Sequence, residues 1–399
     1  MGQVKEHMYE EEHQGFSEPP KKSVCVTHFT DFALQSYAQK IAQTGTCSYC
    51  GAKSKVVPLR DMVERIAGKI REYFDHPDNQ GVGYDSSDRD EDDGLNHEYG
   101  YVFDGRHIYD TERLLLDELA LYDDVDNEEL FNDIAACIPE QLWCQKDPYG
   151  MTEDEEMSFK WRTFCEEVKH RRRYTFFQLP EFDNPRRSDN GLSDILTEIS
   201  RVVHAARLIR PVLAGEKVYR CRNHKSDEAV DKDKELVSPL PQQAVYPNRM
   251  SPAGIPMFYG GFDPEIVREE AQGESAECQT VGEFELKEKI NVIDFTRLPK
   301  VSFWGDDALE PVRFLNSFVG ELSKPIGPDD AHIEYVPTQI LTEHFRYNFL
   351  QEGVRGMIYG SAKCKGSQCC VLFFDQAECL EKMKMTKIEK FTPTQKKKE

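Results

Sequence analysis

Asn248-Arg249-Met250-Ser251-Pro252-Ala253-Gly254-Ile255-Pro256-Met257-Phe258-Tyr259 constrains this chain more than any other stretch. Pro252, Gly254 and Pro256 punctuate it as turns, and Met257–Gly260 after them reads as a short buried strand. Pro264 to Gln272 then reads as a helix, with Glu270 near its end. The chain must fold a turn, a strand and a helix in close succession, carrying an arginine, a phenol and a carboxylate along them. A guanidinium holds a pyrophosphate bidentately. A phenol ring can stack on a sugar or base. A carboxylate can stabilise positive charge that develops in a dry pocket. The set suits an anionic sugar-phosphate ligand with a charge-developing centre.

Two further segments extend that set. Lys217–Cys221 reads as a strand that places Arg220 at a sheet edge, with Arg222 as the alternative ligand two residues on. Gly356–Gly360 reads as a strand followed at once by Ser361. Each residue alone also has an ordinary structural reading. Arg220 could form a surface ion pair, Tyr259 a core contact, Glu270 a solvated helix position and Ser361 a cap.

Near the N-terminus, Cys25-Val-Thr-His28 and Cys47-Ser-Tyr-Cys50 are two short-spaced ligand pairs. Each pair can form one knuckle of a tetrahedral zinc site, and four protein ligands leave no open position, so the site would be structural. The competing reading is a set of buried thiols beside a surface histidine. Arg71-Glu-Tyr-Phe-Asp-His76 places an arginine and a histidine at a helix end, a spacing used for acid–base chemistry at phosphate but frequent by chance. His204 and His344 fall in helical patterns as ordinary half-buried residues. Cys369 and Cys370 fall in an apolar strand, where core packing is the first reading and redox switching the second.

The chain has 399 residues and a formal net charge of −22. An acidic chain repels phosphate backbones, so nucleic acid is not an expected partner. Without an apolar run of membrane-helix length or a leader pattern, a soluble cytoplasmic protein is expected, its twelve cysteines reduced.

Residues 1–22 read as a flexible tail and 23–180 as a mainly helical domain. The acidic run Asp88–Asp93 reads as a surface loop and Leu179–Asn190 as a linker. Residues 191–385 read as a mixed α/β domain and 386–399 as a second tail. Helices are expected around Leu59–Tyr73, from a cap at Thr111, and over Glu128–Ile138, Asp154–Val168, Ser193–Leu208 and Thr338–Glu352. Strands are also expected at Asn291–Asp294 and Cys369–Phe374. Glu269 lies about 100° around its helix from Glu270 and is expected to face elsewhere.

Tyr219-Arg220, the Arg249–Tyr259 segment, Pro264-Glu265 with Glu270, Tyr335-Val-Pro-Thr-Gln339, Arg355–Ser361 and Cys370–Phe374 together resemble the RES-domain family over roughly Ala214–Phe374. The first half, through Cys25, His28, Cys47, Cys50, Trp161 and Phe164, resembles the zinc-knuckle, HEPN-like domain that precedes some RES domains. Arg268 departs from the small residue frequent there in the family.

The resemblance implies an α+β chain whose second half folds like ADP-ribosyltransferases. It implies NAD+ as substrate, cleaved at the nicotinamide–ribose bond with phosphate or water as acceptor, and in some members transfer to a protein. Such proteins are toxins or defence effectors held by an antitoxin, and a homo-oligomer is compatible with that role. By the same resemblance Arg220 and Arg249 hold phosphates and Tyr259 packs on the ribose. Glu270 stabilises the ribosyl cation and Ser361 orients the nicotinamide end. The open alternatives are an RNase using Arg71 and His76, and an interaction protein without activity.

Overall fold

The computed structural model describes residues 15–84, 96–99, 101–103, 107–177, 193–228, 230–271, 277–306, 309–327, 329–361, 363–364 and 366–391. The acidic run Asp88–Asp93, the linker reading for Leu179–Asn190 and most of both tails lie outside them. The chain forms two compact units, Met1–Thr152 with Lys300–Leu309, and Glu153–Pro299 with Glu310–Glu399.

The first unit is mainly helical and also carries three small sheets. Its strands are too short to show a two-residue period. Ser23–Cys25, Lys53–Pro58 and Gln43–Thr46 form an antiparallel sheet with Lys53–Pro58 central. Two further three-stranded sheets are built on short pairings. Helix Leu59–Tyr73 is the spine. Leu59, Met62, Val63, Ile66 and Ile70 recur on one face and are all fully buried. At the next helix the cap is Asp110, whose carboxylate accepts from the Arg113 amide, whereas Thr111 donates its hydroxyl to the Pro139 carbonyl. That helix keeps its α form for three residues and widens to a π turn over Leu114–Glu118. Trp304, from the returning segment, is buried in this unit's core. Its indole donates to Asp124 at 2.7 Å, and its carbonyl accepts twice from Arg65.

The second unit is organised by an eight-stranded sheet. The strands run in the order Ile209–Val212, Ile290–Asp294, Val354–Gly360, Gln368–Leu372, Phe258–Gly261, Lys217–His224, Cys278–Leu286 and Met383–Phe391. Ile290–Asp294 and Val354–Gly360 pair in parallel, so the chain between them must cross over. Helices Leu309–Leu322 and Val336–Asn348 lie in that crossover. One sheet face, with Met257, Ile293, Met357 and Val371, packs on Phe314, Phe318, Leu341 and Phe345 of these helices. Helix Glu153–His170 joins the same core. Its Trp161 meets Phe318 edge-on and donates to Glu321. The other face carries Val218, Phe258, Phe284 and Leu372.

Residues expected in a tail from 386 onward are instead strand as far as Phe391, paired along Cys278–Leu286. Lys384, Lys387 and Lys390 disguise this edge strand, and such charges suit an edge because they discourage further pairing.

Candidate functional site

The two strands carrying Arg220 and Tyr259 touch at a single pair, Tyr219 opposite Gly261, and then part. Gly260 is required at the parting, because a Cβ there would lie 2.4 Å from the Tyr219 carbonyl oxygen. In the opening, the Tyr259 carbonyl has no ladder partner on this side. Arg220 supplies one, donating from Nη1 at 3.1 Å, with its guanidinium 5.5 Å over the Phe258 ring. Burial lowers its pKa, yet a guanidinium stays charged. Arg222 is engaged elsewhere, donating to the Glu228 carboxylate at 2.6 Å and the Glu235 carbonyl at 3.0 Å.

Tyr259 packs its ring against the helix-covered core. Its hydroxyl accepts from the Met250 amide at 3.2 Å and pairs with Ser251 Oγ at 2.9 Å. Burial pushes the phenol pKa well up, so it remains protonated at neutral pH. A cavity of about 300 Å³ opens here, bounded by Arg220, Tyr259, Ser251, Asn248, Met257 and Tyr246. Gly254, at φ +84°, lets the loop double back so that its amide donates to the Ala244 carbonyl.

Arg249 stands next to this cavity in sequence but does not line it. Its Nη2 donates to the Lys324 carbonyl at 2.6 Å, and its guanidinium lies 5.3 Å over Tyr335. Its Nη1 is buried without a hydrogen-bond partner among the described residues. Helix Val336–Asn348 fixes the segment: Thr338 donates to the Arg249 carbonyl and Gln339 to that of Asn248.

Glu270 and Ser361 meet directly. The Ser361 hydroxyl donates to Glu270 Oε1 and accepts from the amides of Cys364 at 2.8 Å and Lys363 at 3.2 Å. Lys363 Nζ closes the C-terminus of helix Pro264–Ala271 by donating to the carbonyls of Glu269 and Glu270. Glu269 does not face elsewhere, contrary to the helical-wheel expectation. Its Oε2 accepts from the Cys364 thiol at 2.6 Å, because the 361–364 turn wraps the helix end and reaches both carboxylates.

Tyr359 lies on the strand Val354–Gly360, two residues before Ser361, and burial raises its pKa well above the ordinary value. Neither Glu270 nor Ser361 lines the cavity beside Arg220. Tyr335, Tyr359 and Ser251, absent from the expected site, are legible only as exceptions to an apolar pattern.

The four expected metal ligands come together. One donor atom each from Cys25, His28, Cys47 and Cys50 lies within 4.8 Å of the others. Cys25 and Cys50 place their sulfurs 3.7 Å apart. A tetrahedral ion with bonds of about 2.3 Å needs sulfurs roughly 3.8 Å apart. His28 directs Nδ1 at the Asp126 carbonyl, 3.3 Å away, and leaves Nε2 buried without a partner among the described residues. A ligating histidine is oriented in this way. Burial alone would raise the Cys47 thiol, but amides of Cys50, Tyr49 and Cys25 outweigh it and bring it to about 6. The residues fit a zinc ion.

Arg71 and His76 do not share a helix. The helix ends at Tyr73, and His76 instead caps the short helix Pro77–Gln80 by accepting from the Asp78 amide. Arg71 packs its guanidinium against Gly15.

Residues 40–181 match the family described as HEPN/RES N-terminal domain 1, and residues 217–393 match the RES domain. The first match takes in Cys47 and Cys50 but begins after Cys25 and His28. The second takes in Arg220, Arg249, Tyr259, Glu270 and Ser361. No curated protein matches the chain. Among solved structures, a chain of the M. tuberculosis MbcT–MbcA toxin–antitoxin complex is similar at 12% identity, over 49% of this chain and 91% of that one. Its TM-score of 0.29 is too low to carry an argument.

Proposed function

This chain belongs to the RES-domain family, with a HEPN/RES N-terminal domain ahead of the RES domain, and from that premise we propose that it degrades NAD+ as a toxin or defence effector. Nicotinamide departs with the electron pair of its bond to ribose. The ribosyl carbon becomes oxocarbenium-like, and water or phosphate attacks it. Glu270, ordered by Ser361, supplies the fixed negative charge that this cation needs. Arg220 holds the pyrophosphate, Tyr259 packs on the ribose, and Arg249 offers its unpartnered Nη1 to a phosphate. Ser361 acts through Glu270, whose carboxylate its hydroxyl holds in one orientation.

The observation that carries this reading is the Glu270–Ser361 pair, set beside a sheet whose neighbouring strands carry Arg220 and Tyr259 at the cavity. A structural zinc held by Cys25, His28, Cys47 and Cys50 would tie the N-terminal knuckles together. Among the described residues, no helix is long and apolar enough to cross a membrane. The proposal includes an antitoxin partner, because an enzyme that consumes NAD+ in its own cell must be held in check.

Incubating the purified full chain with NAD+, with and without inorganic phosphate, tests the proposal. Free nicotinamide is expected in both arms. ADP-ribose alone would mark a glycohydrolase, and a phosphorylated ADP-ribose that appears only with phosphate would mark a phosphorylase. Intact NAD+ in both arms would overturn the reading.

A further inference from the structure

We propose that Tyr246 is the platform on which the adenine ring of the dinucleotide stacks, an inference that rests on the NAD+ reading above. Tyr246 borders the same cavity as Arg220 and Tyr259. It is 81% exposed, and among the described residues it has no hydrogen-bond, ring or cation partner. Exposed aromatics elsewhere on this unit do not border the cavity.

The ring is also held on a stiff support. Pro247, Pro252 and Pro256 restrict the backbone around it. The Gly254 amide donates to the Ala244 carbonyl at 2.8 Å, and the Asn248 amide donates to that of Ser251 at 2.8 Å. Gln339 clamps the Asn248 carbonyl from the helix below. A ring on a pinned loop can receive a flat ligand with little ordering penalty.

The chemistry of the ligand sets the order of its parts. Adenosine and nicotinamide riboside sit at opposite ends of the pyrophosphate. Glu270 and Ser361, the residues suited to the reacting ribose, do not line the cavity that Tyr246 borders. With the pyrophosphate at Arg220 and the reacting ribose between Tyr259 and Glu270, the adenosine end falls to the Tyr246 side of the cavity. A purine face on a tyrosine face is a favourable, sequence-tolerant contact. The long segment between Arg220 and Arg249 thus supplies affinity for the half of the substrate that does not react.

Kinetics of Tyr246→Ala, Tyr246→Phe and Tyr246→Trp on NAD+ and on nicotinamide mononucleotide test this. The mononucleotide has the same scissile bond and no adenosine. Tyr246→Ala is expected to raise KM for NAD+ about tenfold, which is about 1.4 kcal/mol, with kcat kept. The Phe and Trp variants should stay near wild type, and all four proteins should treat the mononucleotide alike. An unchanged KM for NAD+, or an equal rise with both substrates, would overturn the proposal. If the wild type does not turn over NAD+, equilibrium binding of NAD+ to the same four proteins decides. Binding that is indifferent to Tyr246→Ala overturns the platform alone. No binding by the wild type overturns the NAD+ reading, and the platform falls with it.

Discussion

Ser361 hands its hydroxyl proton to Oε1 of Glu270, ninety-one residues earlier in the chain, while two amides of the following turn point at the serine oxygen. The hydroxyl is therefore fully committed, and the carboxylate is held in one orientation. An oriented charge needs no reorganisation when a cation forms beside it, which is where such groups have most effect.

Glu270→Gln keeps the shape and removes the charge. It should lower kcat for NAD+ at least a hundredfold, equivalent to about 3 kcal/mol. Ser361→Ala should lose roughly tenfold, because the carboxylate remains but is less well held. Glu269→Gln should stay within about threefold, since its contact is with Cys364 at the turn's surface. Equal rates for the Glu269 and Glu270 variants, with circular dichroism unchanged, would remove Glu270 from the site.

Purified protein should carry one zinc per chain by elemental analysis. Cys47→Ser should lose it and melt the N-terminal unit, because metal binding at such a site is folding free energy. A metal-free wild type prepared without chelators, with normal thermal unfolding, would contradict this.

Arg71→Ala combined with His76→Ala should leave NAD+ consumption within about twofold. His76 caps a single turn, so its loss is expected to lower stability by about 1 kcal/mol without touching the RES half. A folded double variant that lost toxicity would favour the RNase alternative.

His344 predicts a pH effect on stability. Burial lowers its pKa, and it sits 2.9 Å from Ser200 Oγ. A histidine depressed in the folded state favours the neutral form, so the unfolded chain takes up the proton first. Its contribution is fully present above the unfolded value of about 6.5 and declines as pH falls from there toward the folded pKa. Thermal melts at pH 7.5 and 5.5 should show a smaller acid-side drop for His344→Gln than for wild type. Identical drops would show that His344 is not the group responsible.

Much of the second unit is legible in the sequence because its signals are local. The Gly254 turn, the strand that carries Tyr259 and the helix under Glu270 follow from residues adjacent in sequence. What stays hidden depends on long-range partners. Arg249 reads as equivalent to Arg220, yet it does not line the cavity, and its Nη2 and planar face go to Lys324 and Tyr335, 75 or more residues away. Glu269 reads as remote from Glu270 because a helical wheel cannot show a turn that folds over the helix end. The last strand reads as a tail from Thr386 onward because edge strands carry charge on their open side. The zinc ligands are readable from spacing, but the orphaned Nε2 of His28 is not.

Trp304 completes a core whose other buried residues all precede Thr152. A protein shortened to that N-terminal stretch would lack the ring, and a vacancy of that size typically removes about 4 kcal/mol. The chain thus behaves like a garment stitched through twice. Neither half can be transplanted at one seam, and natural recombination after Thr152 would pass on a first half that is missing its own keystone.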